Sequence, residues 1–472
     1  MPRLIPGQHI HIVGIGGFGM SALARVLLHQ GYYVSGSDRR PNALMQALER
    51  EGAVIFERED AQNVLGAEMV IATSAAQPDH VELAMARALG IPVYKRSDII
   101  AEVMSGQVGI AVAGTHGKTT TTAMIAHILI ETRQNPSYIV GGILRSTGHN
   151  AGVGTGRAFV IEADEYDYMF LGLRPQVAVV TNVEYDHPDF FKTPNDLVRA
   201  FNQFVDLLPE DGLLIAGVDD PTAAILAHNR LAAGWPVVTF GIRNPQADWR
   251  AMNIHLDSQY QTVFEVVRAG KKVGTVRLQI PGDFNVLNAL AALIVADQQG
   301  VPLADAAYAL EGFQGAGRRF QLRGEVGGVL VIDDYAHHPT AIKATLDAAR
   351  QRFRTRSIWA VWQPHTYSRI QALWDAYLTA FGSADHVLIT DIYAAREDPL
   401  PGISAGELAA TIQHPDVHHT PALDDALNYL MRHAQPPAAI IIMSAGDAPL
   451  IGVNYLKLRQ GRLDGPAQNP VG

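Results

Sequence analysis

Three α/β domains in one chain is the architecture this sequence predicts, and three observations carry it. The chain has 472 residues, room for about three domains of ordinary size, each with its own core. Two glycine-rich turns, Gly14–Gly19 and Gly114–Gly117, each follow an apolar run and precede a helical one. After Gly328 the alternation of strand and helix starts afresh.

Composition narrows the class. Hydrophobic residues make up 48% of the chain and charged residues 18%, the balance of a folded globular protein. The net charge of −10 comes with no basic block, which argues against nucleic acid, because a phosphate backbone needs a clustered positive face. Cysteine is absent, so disulfides, thiol nucleophiles and thiolate metal sites are excluded. The start, MPRLIPGQHIHIVGIGG, enters a strand without an apolar signal segment, and no run of about 18 apolar residues follows. A cytoplasmic protein with no membrane partner is expected.

The first domain is expected over residues 1–104. His9–Val13 reads as a strand, GIGGFG as a tight turn, and the following helix runs through Leu28 to a second strand ending in Asp38. Gly14, Gly16 and Gly19, with an acid about 20 positions on, have the spacing of a dinucleotide-binding unit. Further strands at Val54–Phe56, Met69–Thr73 and Pro92–Tyr94 alternate with helices such as His80–Leu89, giving a Rossmann-like parallel sheet. Taken alone the motif suggests NAD; the plainer alternative is that the glycines only permit the turn.

The central domain is expected over residues 105–316 and opens on AVAGTHGKTTTT, from Ala111 to Thr122. Ile110–Val112 ends a buried strand, and a helix with apolar Met124, Ile125, Ile128 and Leu129 begins at Thr119. Backbone N–H groups and the positive end of that helix converge where Lys118 adds a full charge, a place suited to a triphosphate. Thr119 has the position of the hydroxyl that holds Mg²⁺ in phosphate-binding loops. The general pattern would put its first glycine at Val112; here it stands at Gly114. A threonine-capped helix start is the plainer reading.

Carboxylates follow at strand ends. FVIEADEYDY sets Glu162, Asp164, Glu165 and Asp167 where ligands bind in open α/β sheets, and their mutual repulsion invites a cation. VVTNVEYDHPDFF, in a strand expected over Val177–Val183, brings Asn182, Asp186 and His187 to the same edge after its apolar part Val177–Val180. A solvated acidic loop and a structural histidine are the competing readings. Strands at Leu213–Ile215 and Val237–Phe240 give way to an antiparallel meander at Ala251–Leu256, Thr262–Val267 and Lys272–Ile280. In the helix Asp283–Gln299, Asn285 and Asn288 lie one turn apart, either as a cap or as amides for a flat base such as adenine.

GFQGAGRRFQ, Gly312–Gln321, has the composition of a hinge into a third, Rossmann-like domain over residues 317–460. Its strands are GVLVIDDYAHHP, SIWAVWQPH, HVLITDIY and AAIIIMSAGD. Arg318 and Arg319 in the hinge, and Asp333 and Asp334 after the first strand, either face a nucleotide across a cleft or bridge the domains. His365 and Arg369, four apart beyond a strand end, suit an anionic or amino-acid substrate, or cap the strand. The polar tail, residues 461–472, is expected to be disordered.

GTHGKTTT, EADEYD, TNVEYDHPD, NVLNALAA, GRRF, DDYAHHPT, QPHTYSR and DIYAARE stand in one order along nearly the whole chain. Together they resemble the Mur ligase family of cell-wall peptide synthetases, whose loop has the form G-T-x-G-K-[ST] and so accounts for the displaced glycine. Within that family the segments DDYAHHPT, QPHTYSR and DIYAARE are similar to the branch that joins L-alanine to UDP-N-acetylmuramate; a related branch, which reattaches recycled tripeptide, differs where QPH stands here. The resemblance implies ATP as co-substrate, Mg²⁺, and an acyl-phosphate intermediate. It turns the loop of Gly14, Gly16, Gly17 and Gly19, with Asp38, from NAD to the UDP-sugar. It implies that Gly114, Thr115, His116, Gly117, Lys118, Thr119 and Thr120 hold phosphates, with Thr119 or Thr120, Glu162 and His187 on the metal. Asn285 and Asn288 would meet adenine, Arg319 and Asp334 would reach ATP from the third domain, and Tyr335, His365 and Arg369 would position the amino acid. The catalytic set is then Lys118, Glu162 and His187. Thr366 stands where many of these ligases have arginine, MSAGDAP only approximates a family glycine run, and Asn202 lies about where later-acting members carry a carbamylated lysine, so no carbamate is expected.

Overall fold

The computed structural model describes residues 3–77 and 79–464, with side chains as far as residue 461. Three sheets form in sequence order. The first is wholly parallel, in the order Val54–Phe56, Tyr33–Ser37, His9–Val13, Met69–Ala72, Val93–Lys95. The chain therefore reverses direction across the sheet at His9–Val13, and the Gly14–Gly19 turn lies at that switch point, where doubly wound sheets bind ligands.

The second sheet has ten strands. From one edge they run Lys271–Leu278, Thr262–Arg268, Trp249–Leu256, Val237–Gly241, Leu213–Gly217, Val177–Val180, Val108–Ala113, Ala158–Glu162, Ser137–Leu144 and His149–Gly152. The meander is thus not a separate layer: Trp249 pairs in parallel with Phe240 and carries the parallel sheet into the antiparallel strands. The antiparallel hairpin Ser137–Leu144/His149–Gly152 at the other edge was not expected.

Period-two alternation explains how this sheet is buried on both faces. Ile110, Val112, Val160, Val177 and Val179 pack into one core with the helices Lys118–Glu131 and Asp283–Gln298. Ala111, Ala113, Ile161, Ala178 and Val180 face a second core shared with Phe170, Phe201 and the first domain's Ile12, Leu23 and Val26. Each large aliphatic side chain so buried contributes about 1.5–3 kcal/mol, and the shared core seats the first domain on the second.

The third sheet runs Gln321–Val326, Val329–Asp334, Ala438–Met443, Ser357–Trp362, His386–Ile389, Val417–His419, all parallel except the first. Gln321, expected as the end of a hinge, opens that antiparallel edge strand. The segment before it is stitched to both neighbours: Ala316 bridges Leu144, the Gly317 N–H donates to the Ile143 carbonyl at 2.9 Å, and Tyr335 N–H donates to the Arg318 carbonyl at 2.9 Å. The last helix, Pro449–Asp464, takes in residues 461–464 of the expected disordered tail; residues 465–472 lie outside the described residues. Among the described residues no helix is long and apolar enough to cross a membrane.

Candidate functional site

The loop between Val108–Ala113 and Lys118–Glu131 is held by its neighbours, and two positions in it demand glycine. Gly114 has φ +138° and Gly117 φ +86°. A Cβ at Gly114 would overlap the Thr181 hydroxyl, and one at Gly117 the Asn288 carboxamide. The strand expected to run to Val183 ends at Val180 because the next residues turn to this loop. Thr181 Oγ1 donates to the His116 carbonyl at 2.6 Å, Asn182 Oδ1 accepts from the His116 N–H at 2.9 Å, and Thr115 Oγ1 donates to the Glu184 carbonyl at 2.7 Å. Gly117 N-caps the helix without a side-chain cap, so first-turn N–H groups stay directed at the loop's concavity.

Charge is concentrated beside it. Lys118 Nζ donates to the Gly114 carbonyl at 2.6 Å and pairs with buried Glu165 at 2.9 Å. Burial alone would lower the Lys118 pKa, but Glu165, Asp164 and Glu162 more than offset that and raise it, so the side chain stays an ammonium. Glu165 is nevertheless raised, through burial and then Asp164, against the pull of Lys118 and His187. Three carboxylates, Glu165, Asp164 and Glu162, thus act on the one lysine. Thr119 Oγ1 donates to Glu162 Oε1 at 2.9 Å and accepts from Arg319 at 2.8 Å, while Glu162 Oε2 accepts the Gly141 N–H at 2.7 Å. It is Thr119, of the two threonines considered, whose hydroxyl meets Glu162. His187, at φ +56°, sets Nε2 3.9 Å from Glu165 Oε1. Hydroxyl and carboxylate oxygens are the donor set a hard divalent ion such as Mg²⁺ takes.

From the third domain, Arg369 Nε donates to buried Asp186 at 2.6 Å, and its NH1 lies 3.0 Å from His365 Nδ1. Burial alone would raise Asp186, yet Arg369, His187 and His337 hold it well below the usual carboxylate range. His365 is pushed down to about 3 and His337 to about 4, in both cases first by burial, so both imidazoles are neutral at pH 7. Tyr335 lies under the Arg318 and Arg319 guanidiniums, 5.0 and 4.9 Å from its ring centre, and edge-on to His337.

The comparisons with known proteins agree with one another. Residues 9–108 match the Mur ligase family catalytic domain, 112–296 the Mur ligase middle domain and 318–446 the Mur ligase glutamate ligase domain. The UDP-N-acetylmuramate–L-alanine ligase of Pelotomaculum thermopropionicum is 42% identical over 95% of this chain and 97% of that protein. That of a Roseiflexus species is 44% identical over 94% and 98%. The chain belongs to the Mur ligase family. Among solved structures of this family, the UDP-N-acetylmuramate-alanine ligase MurC of Thermotoga maritima superposes with a TM-score of 0.82 at 28% identity, covering 96% of this chain and 99% of that one. The murein peptide ligase mpl of Psychrobacter arcticus gives 0.71 at 30% identity, with coverages of 96% and 99%.

Other residues expected at a Mur ligase site sit differently from a free ligand contact. Asn285 and Asn288 are buried: Asn285 Nδ2 donates to the Pro281 carbonyl at 2.6 Å, and Asn288 Oδ1 accepts from Thr121 at 3.1 Å beneath Gly117. Both Asp334 oxygens are taken by backbone N–H groups, of Phe320 and Ala336, each at 2.7 Å. Asp38 accepts the Gly16 N–H at 3.1 Å and so closes the first glycine loop from behind. Thr120 is buried on the helix.

Several residues escaped sequence reasoning. Glu165 was one carboxylate in a run of four, and only its pairing with Lys118 singles it out. Arg96 sits against Gly19 with its side chain buried toward Asp164 and Glu162, its Nε without a partner among the described residues. Glu184, His337 and His338 lay inside quoted motifs, but nothing in their spacing showed that the second and third domains meet there.

Proposed function

We propose that this chain is an ATP-dependent ligase that joins L-alanine to the lactyl carboxylate of UDP-N-acetylmuramate, releasing ADP and phosphate, in the cytoplasm. The observation that carries the reading is the Lys118–Glu165 pair beside Thr119–Glu162, on a loop whose glycines let Thr181 and Asn288 pack directly against its backbone. A carboxylate is a poor electrophile. Transfer of the γ-phosphoryl group to its oxygen gives an acyl phosphate and ADP; the alanine amine then attacks the carbonyl carbon, phosphate leaves, and the amine gives up a proton.

In this reading Lys118 and the N–H groups of the loop and first helical turn, Gly117 to Thr120, neutralise the β- and γ-phosphates, while Asn182 holds the Thr115 and His116 N–H groups and so fixes the loop's shape. Thr119, Glu162 and His187 would hold Mg²⁺, which when bound supplies charge neutralisation at the transferring phosphoryl group. Arg319 reaches Thr119 from the third domain, so closure of that domain completes the phosphate pocket and excludes water. Half-buried Arg96, between the first glycine loop and Glu162 and with its Nε unpartnered, is a cation suited to the UDP-sugar's diphosphate or lactyl carboxylate. Arg369, His365 and Tyr335 line the space for alanine, the neutral imidazoles serving as hydrogen-bonding groups. Asn285 and Asn288 support the loop from below and present the adenine side, and Asp334 holds the linker that carries Arg319. The domain limits proposed are 1–104, 105–316 and 317–460.

Phosphate release with UDP-N-acetylmuramate, ATP and each amino acid in turn tests reaction and substrate together. L-alanine is expected to give the fastest release; release with L-alanyl tripeptide but not L-alanine would replace this reading with the recycling ligase. Nicotinamide cofactors are expected not to bind.

A further inference from the structure

Two imidazoles and a carboxylate meet at the seam between the second and third domains, beside the cluster of Lys118, Glu162 and His187 but outside it. His116 belongs to the glycine loop, Glu184 to the segment after Val177–Val180, and His338 is the N-cap of the third-domain helix Pro339–Arg352. We propose that His116, Glu184 and His338 form a site for a divalent transition ion, Zn²⁺ by preference, which clips the third domain onto the phosphate loop. Nothing in the ligase reading requires this ion.

The distances suit it. His116 Nε2 lies 2.8 Å and His338 Nδ1 3.8 Å from the same Glu184 oxygen, Oε2, and one donor atom from each residue falls within 4.8 Å of the others. Ligands about 2.0–2.2 Å from a tetrahedral Zn²⁺ stand about 3.3 Å apart, so small side-chain rotations close the triangle. Among the described residues no other His, Asp and Glu set forms such a group.

The surroundings orient each donor. His338 Nε2 lies 3.2 Å from the Tyr185 carbonyl, which can only accept; the ring hydrogen is therefore on Nε2, and Nδ1, whose lone pair accepts the Thr340 N–H, stands 3.8 Å from Glu184 Oε2. Thr340 Oγ1 donates to Glu184 Oε1 at 2.6 Å and so leaves Oε2 to the imidazoles. Burial would raise Glu184, but the hydrogen bond from His116 and the other partners bring it to about 2, while burial and then His116 lower His338 to about 4. The Glu184 carboxylate and the neutral His338 imidazole are the forms a metal needs at pH 7. His338 is buried, whereas His116 and Glu184 keep part of their surface in water, which leaves access for a fourth ligand. Two nitrogen donors favour Zn²⁺, Ni²⁺ or Co²⁺ over Mg²⁺, which prefers an all-oxygen shell. On binding, the His116 Nε2 proton moves to Nδ1 or to water, and the long 3.3 Å cap bond from Thr340 N–H to His338 Nδ1 is given up.

Full-length, metal-free protein titrated with Co²⁺, and with Zn²⁺ against a chromophoric chelator, tests the site. The wild type is expected to take up an equivalent of Zn²⁺ that excess Mg²⁺ does not displace, to show the intense visible bands of four-coordinate Co²⁺, and to melt at a higher temperature with Zn²⁺. His338→Ala and Glu184→Gln should lose that equivalent and the bands, with metal-free melts establishing that each variant folds. Thr340→Val, which removes only the orienting hydroxyl, should weaken Zn²⁺ roughly ten- to a hundredfold; should His338→Ala not fold, it and Glu184→Gln decide. Equal stoichiometry and affinity in wild type and variants, or Zn²⁺ displaced by Mg²⁺, would overturn the proposal.

Discussion

The two glycine loops of this protein have nearly the same local plan, a buried parallel strand, a turn of small residues and a helix, yet only one is built for group transfer. At Gly14–Gly19 the backbone of Gly16 is held by neutral and acidic side chains: Asp38 accepts from Gly16 N–H, and Asn42 donates to the Gly16 carbonyl at 3.0 Å. No lysine follows the last glycine; the nearest cation, Arg96, comes from elsewhere in the chain. At Gly114–Gly117 the loop carries its own lysine, and three carboxylates surround it. Glycine spacing reports where a backbone can come close to a ligand. The charges brought to that point decide what happens there.

Removing the lysine should break the contrast most strongly. Lys118→Ala is expected to lower kcat for phosphate release about 10³-fold or more, while calorimetry finds UDP-sugar binding little changed, because that loop lies in another sheet. The same change leaves Glu165 buried without its partner, at a cost of about 3–5 kcal/mol unless the carboxyl takes up a proton. The double variant Lys118→Met/Glu165→Gln separates the two effects: it should recover stability and stay inactive. Recovery of activity would show that the lysine serves the fold and not the phosphate.

Alanine at the glycines sharpens the same comparison at smaller amplitude. Gly114→Ala puts a side chain on a backbone at φ +138° and into the Thr181 hydroxyl, so roughly 1–3 kcal/mol of strain is expected, with the loss falling on kcat. Gly16→Ala meets the side-chain ends of Asn42 and Asp38 at 2.8 Å, and these can shift. Its effect should be near 1 kcal/mol, seen as a higher KM for the UDP-sugar at unchanged kcat. Steady-state kinetics on both variants, with the same pattern in each, would erase the distinction between the loops.

What the sequence disclosed, and what it hid, follows the range of the interactions. The strand–turn–helix units were legible because period-two and helical patterning are local: His9–Val13, Val54–Phe56 and the helix beginning at Asp283 lie where the pattern puts them. The hairpin Ser137–Leu144/His149–Gly152 was hidden because Gly141 and Gly142 interrupt its alternation, and its pairing is set by the Ala158–Glu162 strand. At the site, Lys118 and the acidic run were readable as chemistry. Which of four carboxylates takes the lysine depends on how the short helical turns of Tyr166–Gly172 fold back, with Asp167 and Tyr168 both at positive φ, and no spacing rule encodes that. Asn288 shows the reverse: amides a turn apart suggested a base, whereas the close approach of Gly117 draws one of them under the loop.

The last effect concerns the buried histidines of the third domain, and its sign distinguishes them from the carboxylates nearby. His337 is lowered from its ordinary 6.5 to about 4 by burial and then by Arg369, with Asp186 pulling the other way. The folded protein keeps this imidazole neutral, whereas the unfolded chain takes up a proton below about pH 6.5, so acidification favours unfolding there. Stability should fall by up to about 1.4 kcal/mol per pH unit from this group, and the loss should be complete near pH 4. Asp186, lowered by its cations, contributes stability that is lost only below its ordinary 3.8, outside the window between pH 6.5 and 4 in which His337 acts. His365, lowered to about 3, adds a loss of the same sign that continues a little further down. Urea unfolding at fixed pH should therefore show a shallower slope across that window in His337→Gln than in the wild type. Identical slopes would mean that the imidazole takes up its proton within the folded protein, and that the seam between the second and third domains is wetter than its packing implies.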